Sequence, residues 1–172
     1  MSVLKRHKSG FTLLELLVVI AIVGMIASII LVSLNNARRK ARNTATNSQL
    51  EELIKAIELS RSQDEHYPIT GNTLQYCLGH APNGLYCYAA AQYLENNALN
   101  TALARYIPTL PNPNQKTLQY GALSVQGSTY ACNNISCSQI TIRWFLEGPN
   151  ERCPFGGTGA TSGMTTECTL VK

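Results

Sequence analysis

Apolar positions are distributed along this 172-residue chain in three different ways. From Phe11 to Leu34 they form an almost unbroken run in which Glu15 is the only charge. As a helix this run is about 36 Å long, enough to cross a hydrocarbon core of about 30 Å. Next, Leu50, Leu53, Ile54 and Ile57 recur at i, i+3, i+4 and i+7, a single apolar face. Ala37, Ala41 and Ala45 extend that strip back towards the apolar run. Glu51–Lys55 and Glu58–Arg61 decorate the opposite side and add about 0.2–0.5 kcal/mol each. Tyr67-Pro68 forces an extended backbone. The pattern therefore predicts one helix from about Phe11 to Asp64, apolar all round at first and one-sided later.

Beyond Pro68 the period shortens. Gly71–Pro82 reads as a loop, Tyr88–Asn97 as an Ala-rich helix, and Ala98–Tyr106 as a further turn or two. Pro108-Thr-Leu-Pro111-Asn-Pro113 ends that region. Leu118–Val125 and Ser128–Cys132 flank Gln126-Gly127, the pattern of a two-residue hairpin. Ile140, Ile142, Trp144 and Leu146 alternate with Thr141, Arg143 and Phe145, a period-two strand. About three antiparallel strands are expected to lie against the helix. A Gly/Thr/Ser-rich tail, Gly156–Thr166, loops back to Leu170-Val171, and its Gly156–Gly163 stretch reads as a flexible loop. The predicted class is α+β: a long N-terminal helix, half membrane-spanning and half amphipathic, packed on a small antiparallel sheet and stapled by disulfides.

Charge changes this picture little. The net charge is +4, but Lys5, Arg6 and Lys8 precede the apolar run, and the chain without them has 11 basic against 10 acidic side chains. A basic cluster remains at Arg38, Arg39, Lys40 and Arg42, fit either for anionic headgroups or a neighbouring chain, or for solvent. No aromatic residues interleave with it, which argues against nucleic acid as a partner. A cleaved secretory signal fits poorly, because the apolar run is longer than an h-region, holds a carboxylate and lacks an A-x-A site.

The six cysteines all lie at or beyond Cys77, which points to an oxidising compartment for that part of the chain. Arginine and lysine flank the apolar run on both sides, so the positive-inside rule does not orient it. The cysteines do, and place the C-terminal side outside the cytoplasm. About fifteen pairings are open to six cysteines. Loop-closure entropy favours local ones, Cys77–Cys87, Cys132–Cys137 and Cys153–Cys168. Their spacings do not suit zinc.

The residues Lys8-Ser9-Gly10-Phe11-Thr12-Leu13-Leu14-Glu15, with the apolar run behind them, resemble the prepilin signature of type IV pilins and type II secretion pseudopilins. That pattern is a short basic leader ending in Gly, then Phe, then Glu at the fifth mature position, then an apolar helix. The resemblance covers about residues 5–34. It implies a leader over 1–10 removed between Gly10 and Phe11 by a membrane aspartyl prepilin peptidase, which also methylates the new Phe11 amine. It implies a filament-core helix over 11–34, an amphipathic continuation over 35–66 and a globular domain over 67–172. The expected partners are identical or related subunits, the peptidase, the assembly platform and the inner membrane before assembly. Cys153–Cys168 would clasp a C-terminal loop similar to the disulfide-bound loop of many type IV pilins. This segment lacks the mid-helix proline of many pilins, and Gly24 is its only weak point.

Each position also has its own chemistry. Gly10 lets a protease approach the backbone closely. Phe11 gives the processed chain an apolar end. A carboxylate such as Glu15 in a helix bundle is costly unless paired, and a neighbouring chain's Phe11 amine is the natural partner, setting axial register. Snorkelling to headgroups is the alternative.

No enzyme chemistry, metal or cofactor is expected. His7, His66 and His80 stand alone, with no H-E-x-x-H. Gly156–Gly163 lacks the G-K-[ST] of a phosphate loop. Asn134-Ile135-Ser136 matches an N-glycosylation acceptor only weakly. A structural subunit of an extracellular, type IV pilus-like filament is the leading reading, and a periplasmic type II secretion pseudopilin is the nearest alternative. Major pseudopilins carry a calcium site of clustered acids near the C-terminus. In this chain only Glu147, Glu151 and Glu167 stand late and no Asp follows Asp64, which favours a pilin. A singly anchored ectodomain would have no use for Gly10–Phe11 or Glu15.

Overall fold

In the computed structural model, which describes residues 11–79, 87, 94–110, 118–120, 123–125 and 127–172, helix α1 covers Leu13–Asp64. Two compact units divide in sequence between Lys40 and Ala41.

In the first unit every residue from Phe11 to Arg38 is exposed. This stretch of α1 is long and apolar enough to cross a membrane. Its Ser28 hydroxyl donates to the Met25 carbonyl at 2.7 Å, so a polar group in the apolar run is satisfied within the helix itself.

The second unit begins with the remainder of α1. Its buried positions are Asn43, Leu50, Leu53, Ile54, Ala56, Ile57 and Ser60. Ala41 and Ala45 are exposed, contrary to the expected strip. At about 100° per residue the face leading back from Leu50 passes through Asn43 and leaves both alanines on the opposite side. The Glu51–Lys55 pair forms at 2.7 Å. The expected Glu58–Arg61 pair is replaced: Glu58 meets Lys172 at 2.8 Å, while the Arg61 guanidinium lies 4.7 Å from the Tyr67 ring centroid and donates to its hydroxyl. Buried Tyr67 offers arginine both a ring face and an oxygen, which a solvated carboxylate does not. Glu65, with φ 62°, turns left-handed just past the helix end.

Five strands form one antiparallel sheet: β1 (Gln75–Cys77), β4 (Ser128–Cys132), β5 (Ile140–Glu147), β6 (Thr158–Ser162) and β7 (Thr165–Val171), in the order β1-β4-β5-β7-β6. β2 (Leu118–Tyr120) and β3 (Leu123–Val125) form a separate two-stranded ribbon. One face of β5, carrying Ile140, Ile142, Trp144 and Leu146, is fully buried and joins the α1 residues, Tyr67, Tyr130 and Leu170 in a single core. Short helix α2 (Asn97–Leu103) adds Leu99 and Leu103 to it. Asn96 caps α2, its Oδ1 accepting from the Leu99 amide at 3.0 Å.

Several expectations are corrected. Among the described residues the sheet has five strands, not about three. Leu118–Val125 is not one strand paired with Ser128–Cys132: Tyr120 pairs back onto Leu123, and β4 pairs with β1 and β5. The predicted hairpin turn includes Gln126, outside the described residues. Gly71–Pro82 contains β1. Of the predicted helix Tyr88–Asn97, residues 88–93 lie outside the described residues; Glu95 bridges to Cys77, and the helix starts only at Asn97. The Gly156–Gly163 loop holds β6, because Thr158 and Thr161 are β-branched and Gly163, at φ 63°, occupies the first central position of a type II′-like turn into β7.

Candidate functional site

The start of α1 carries the residues that the sequence singles out for processing and assembly. Gly10, with the leader, lies outside the described residues. Phe11 is 83% exposed. Glu15 folds back over the first turn, its Oε2 accepting from the Thr12 amide and the Thr12 hydroxyl, each at 2.9 Å. The Glu15 amide in turn donates to Thr12 Oγ1 at 3.2 Å. This is a reciprocal capping box, with Thr12 at the N-cap and Glu15 three positions on. It satisfies amides that would otherwise be orphaned at a helix start in an apolar setting. The carboxylate also sits at the positive end of the helix. Thr12 was not singled out from the sequence, although the [ST]-x-x-E spacing ahead of an apolar run is its signal. The second Glu15 oxygen, Oε1, makes no hydrogen bond among the described residues, so the carboxylate is held in place with one acceptor still open.

Behind this cap the side chains from Leu13 to Leu34 are exposed, Leu13, Met25 and Ile29 by more than 70%. Exposed apolar surface of this extent marks a membrane or protein contact.

The cysteines form three disulfides, Cys77–Cys87, Cys132–Cys137 and Cys153–Cys168, with Cα separations of 5.6, 4.8 and 5.6 Å. The first ties residue 87 to β1, the second closes the turn after β4, and the third fastens the segment after Gly148 to β7. Of the basic cluster, Arg42 is bound to Glu147, its Nε 2.8 Å and Nη2 2.6 Å from Oε2. His66 Nδ1 is 2.9 Å from the Tyr67 carbonyl oxygen. His7 and His80 lie outside the described residues. Among the described residues no three His, Cys, Asp or Glu side chains gather as a metal site would require.

Residues 5–31 match the family model described as the prokaryotic N-terminal methylation motif. The type II secretion system core protein G of Klebsiella pneumoniae is 31% identical over 106 residues, 62% of this chain and 68% of that protein. The core protein G of Aeromonas hydrophila is 38% identical over 66 residues, 38% of this chain and 46% of the relative. The type IV wide pilus major component PilA4 of Thermus thermophilus is 36% identical over 62 residues, 36% of this chain and 47% of the relative. Against the last two the chain spans just under half of the relative's length. No solved structure matches. A methylation motif over the capped apolar helix, an α+β fold behind it, and a match across two thirds of a core protein G agree: this chain belongs to the family of type IV pilins and type II secretion pseudopilins.

Proposed function

We propose that the chain is made as a precursor, cut between Gly10 and Phe11, methylated on the new Phe11 amine, and polymerised through the apolar part of α1 into an extracellular filament. Residues 11–34 anchor it in the inner membrane before assembly, with the disulfide-bonded unit outside the cytoplasm. The observation that carries this reading is Glu15. Its carboxylate is fixed at the head of an exposed apolar helix with Oε1 open, where the amine of another copy's Phe11 finds an acceptor. A charge entering a helix bundle needs a partner. Related subunits, prepilin peptidase and an assembly platform are the partners this requires.

A periplasmic pseudopilin is the second reading, favoured by the Klebsiella core protein G match over 68% of that protein. Both readings share the cleavage, the anchor and helix-driven assembly. Mass spectrometry of sheared surface material and of the membrane fraction tests them together. The expected chain begins at methylated Phe11 in both and carries no free thiol. Recovery from shear favours the pilin, and recovery from membranes alone favours the pseudopilin. A chain found only with residues 1–10 attached would overturn both.

A further inference from the structure

The two edges of the five-stranded sheet are treated differently. At the β1 edge the Cys77 amide donates to the Leu94 carbonyl at 3.0 Å, and Cys77 bridges to Glu95, so that edge is partnered at Cys77. At the other edge lies β6, Thr158-Gly-Ala-Thr-Ser162, exposed over Thr158–Thr161. Ser162 and Thr165 flank a two-residue turn, so they form a hydrogen-bonded pair, as do Ala160–Glu167 and Thr158–Thr169 by alternation. The amides and carbonyls of Gly159 and Thr161 therefore point away from β7. Among the described residues no backbone hydrogen bond meets them. Edge strands are ordinarily guarded by charge, proline or a bulge. Between Thr158 and Ser162 there is no charged residue and no proline. The strand is also held firm, since the Cys153–Cys168 disulfide and the hydrogen bond from the Asn150 amide to Thr161 Oγ1 brace the sheet beside it.

We propose that β6 is a pairing edge for the β6 of a second copy of this chain, in an antiparallel, two-fold arrangement centred on Ala160. In this register Gly159 of one copy faces Thr161 of the other, and each such pair exchanges both backbone hydrogen bonds. Ala160 then faces its own symmetry mate as a non-hydrogen-bonded pair with a Cα separation of about 4.5 Å. A second copy is favoured over a different partner because the strand suits itself. It carries no charge to repel its own kind, a small side chain lies on the axis, and glycine faces the β-branched threonine. Two-fold contacts close on themselves, whereas helical polymers grow by head-to-tail contacts. The contact therefore lies outside the filament lattice and joins one filament to another. That last step rests on the filament reading, but the pairing does not.

The test uses the full chain purified in detergent, where no filament is needed, and sheared filaments in parallel. Under mild oxidation Ala160→Cys gives a disulfide-linked dimer about tenfold faster than Thr158→Cys, because only residue 160 meets itself within disulfide reach. Ala160→Lys sets like charges against each other and weakens dimerisation in analytical ultracentrifugation about fivefold or more, while Thr158→Lys, off the axis, has less effect. The same Ala160→Lys filaments separate where wild-type ones lie side by side in electron micrographs. Equal cross-linking at positions 158 and 160, or a monomeric wild-type chain in detergent, overturns the pairing. A detergent dimer without bundled filaments keeps the pairing and overturns only the filament-to-filament role. The lysine variants add no cysteine, so they decide the matter if a seventh cysteine disturbs the native disulfides.

Discussion

Asn43 acts on Glu147 as a neighbouring strand would. Its side-chain amide donates to the Glu147 carbonyl at 2.9 Å and accepts from the Glu147 amide, also at 2.9 Å. One buried helix residue thereby completes the backbone at the end of β5, and fastens α1 to the sheet where the second unit begins. Arg42 grips the same residue through its carboxylate, but from an exposed position. Asn43→Ala leaves a donor and an acceptor unmet and should cost about 1–3 kcal/mol. Arg42→Ala should cost about 1 kcal/mol or less. Thermal unfolding of the two variants checks the order, and a larger loss from Arg42→Ala would contradict it.

Tyr130 is fully buried, and its hydroxyl donates to the Pro68 carbonyl at 2.8 Å. Burial, with a smaller contribution from Tyr67, raises its pKa above the usual tyrosine value. A raised phenol pKa means that the folded state favours the neutral form. This stability is fully present below the unfolded value of about 10 and is lost as pH rises beyond it. Tyr130→Phe should lower stability at neutral pH by about 1–3 kcal/mol, because Pro68 loses its donor. It should also make stability fall less steeply in alkali. Urea midpoints between neutral and alkaline pH measure both effects.

Gly157 is required for lack of space rather than for an unusual backbone angle. A Cβ there would come within 2.8 Å of Trp144 Cη2, 3.2 Å of the Thr169 carbonyl oxygen and 3.3 Å of the Pro154 carbonyl oxygen. Trp144 is fully buried and two of the neighbours are backbone, so little can give way. Gly157→Ala is expected to cost about 1–3 kcal/mol. Gly163→Ala meets no atom within 4 Å, and its cost is only that of φ 63°. Comparing the two by chemical denaturation separates crowding from strain.

The parts legible in the sequence were those written in a long, uninterrupted period. The apolar run, the one-sided face at Leu50–Ile57 and the alternation at Ile140–Leu146 all name their structures locally. What escaped depended on distant partners. β1 is three residues long and acquires its identity from β4. Thr158–Ser162 is poor in large apolar residues and becomes a strand because Gly163 folds it onto Thr165–Val171. Arg61 turned from Glu58 to Tyr67 because a buried ring six residues on was the better partner. At the candidate site, Glu15 stood out because it is the lone charge in its run. Thr12 did not, although the spacing of the pair was in plain view.

Glu15 is also where the functional account is most exposed to test. The decisive measurement is the yield of sheared filaments from cells making Glu15→Ala, with the N-terminus of the membrane-bound protein read by mass spectrometry in the same cells. The account predicts a chain inserted and cut at Phe11 as in the wild type, with filament yield falling about tenfold or more, since truncating one partner leaves the other charge unpaired in the bundle. Wild-type amounts of filament from correctly cut Glu15→Ala subunits would contradict it.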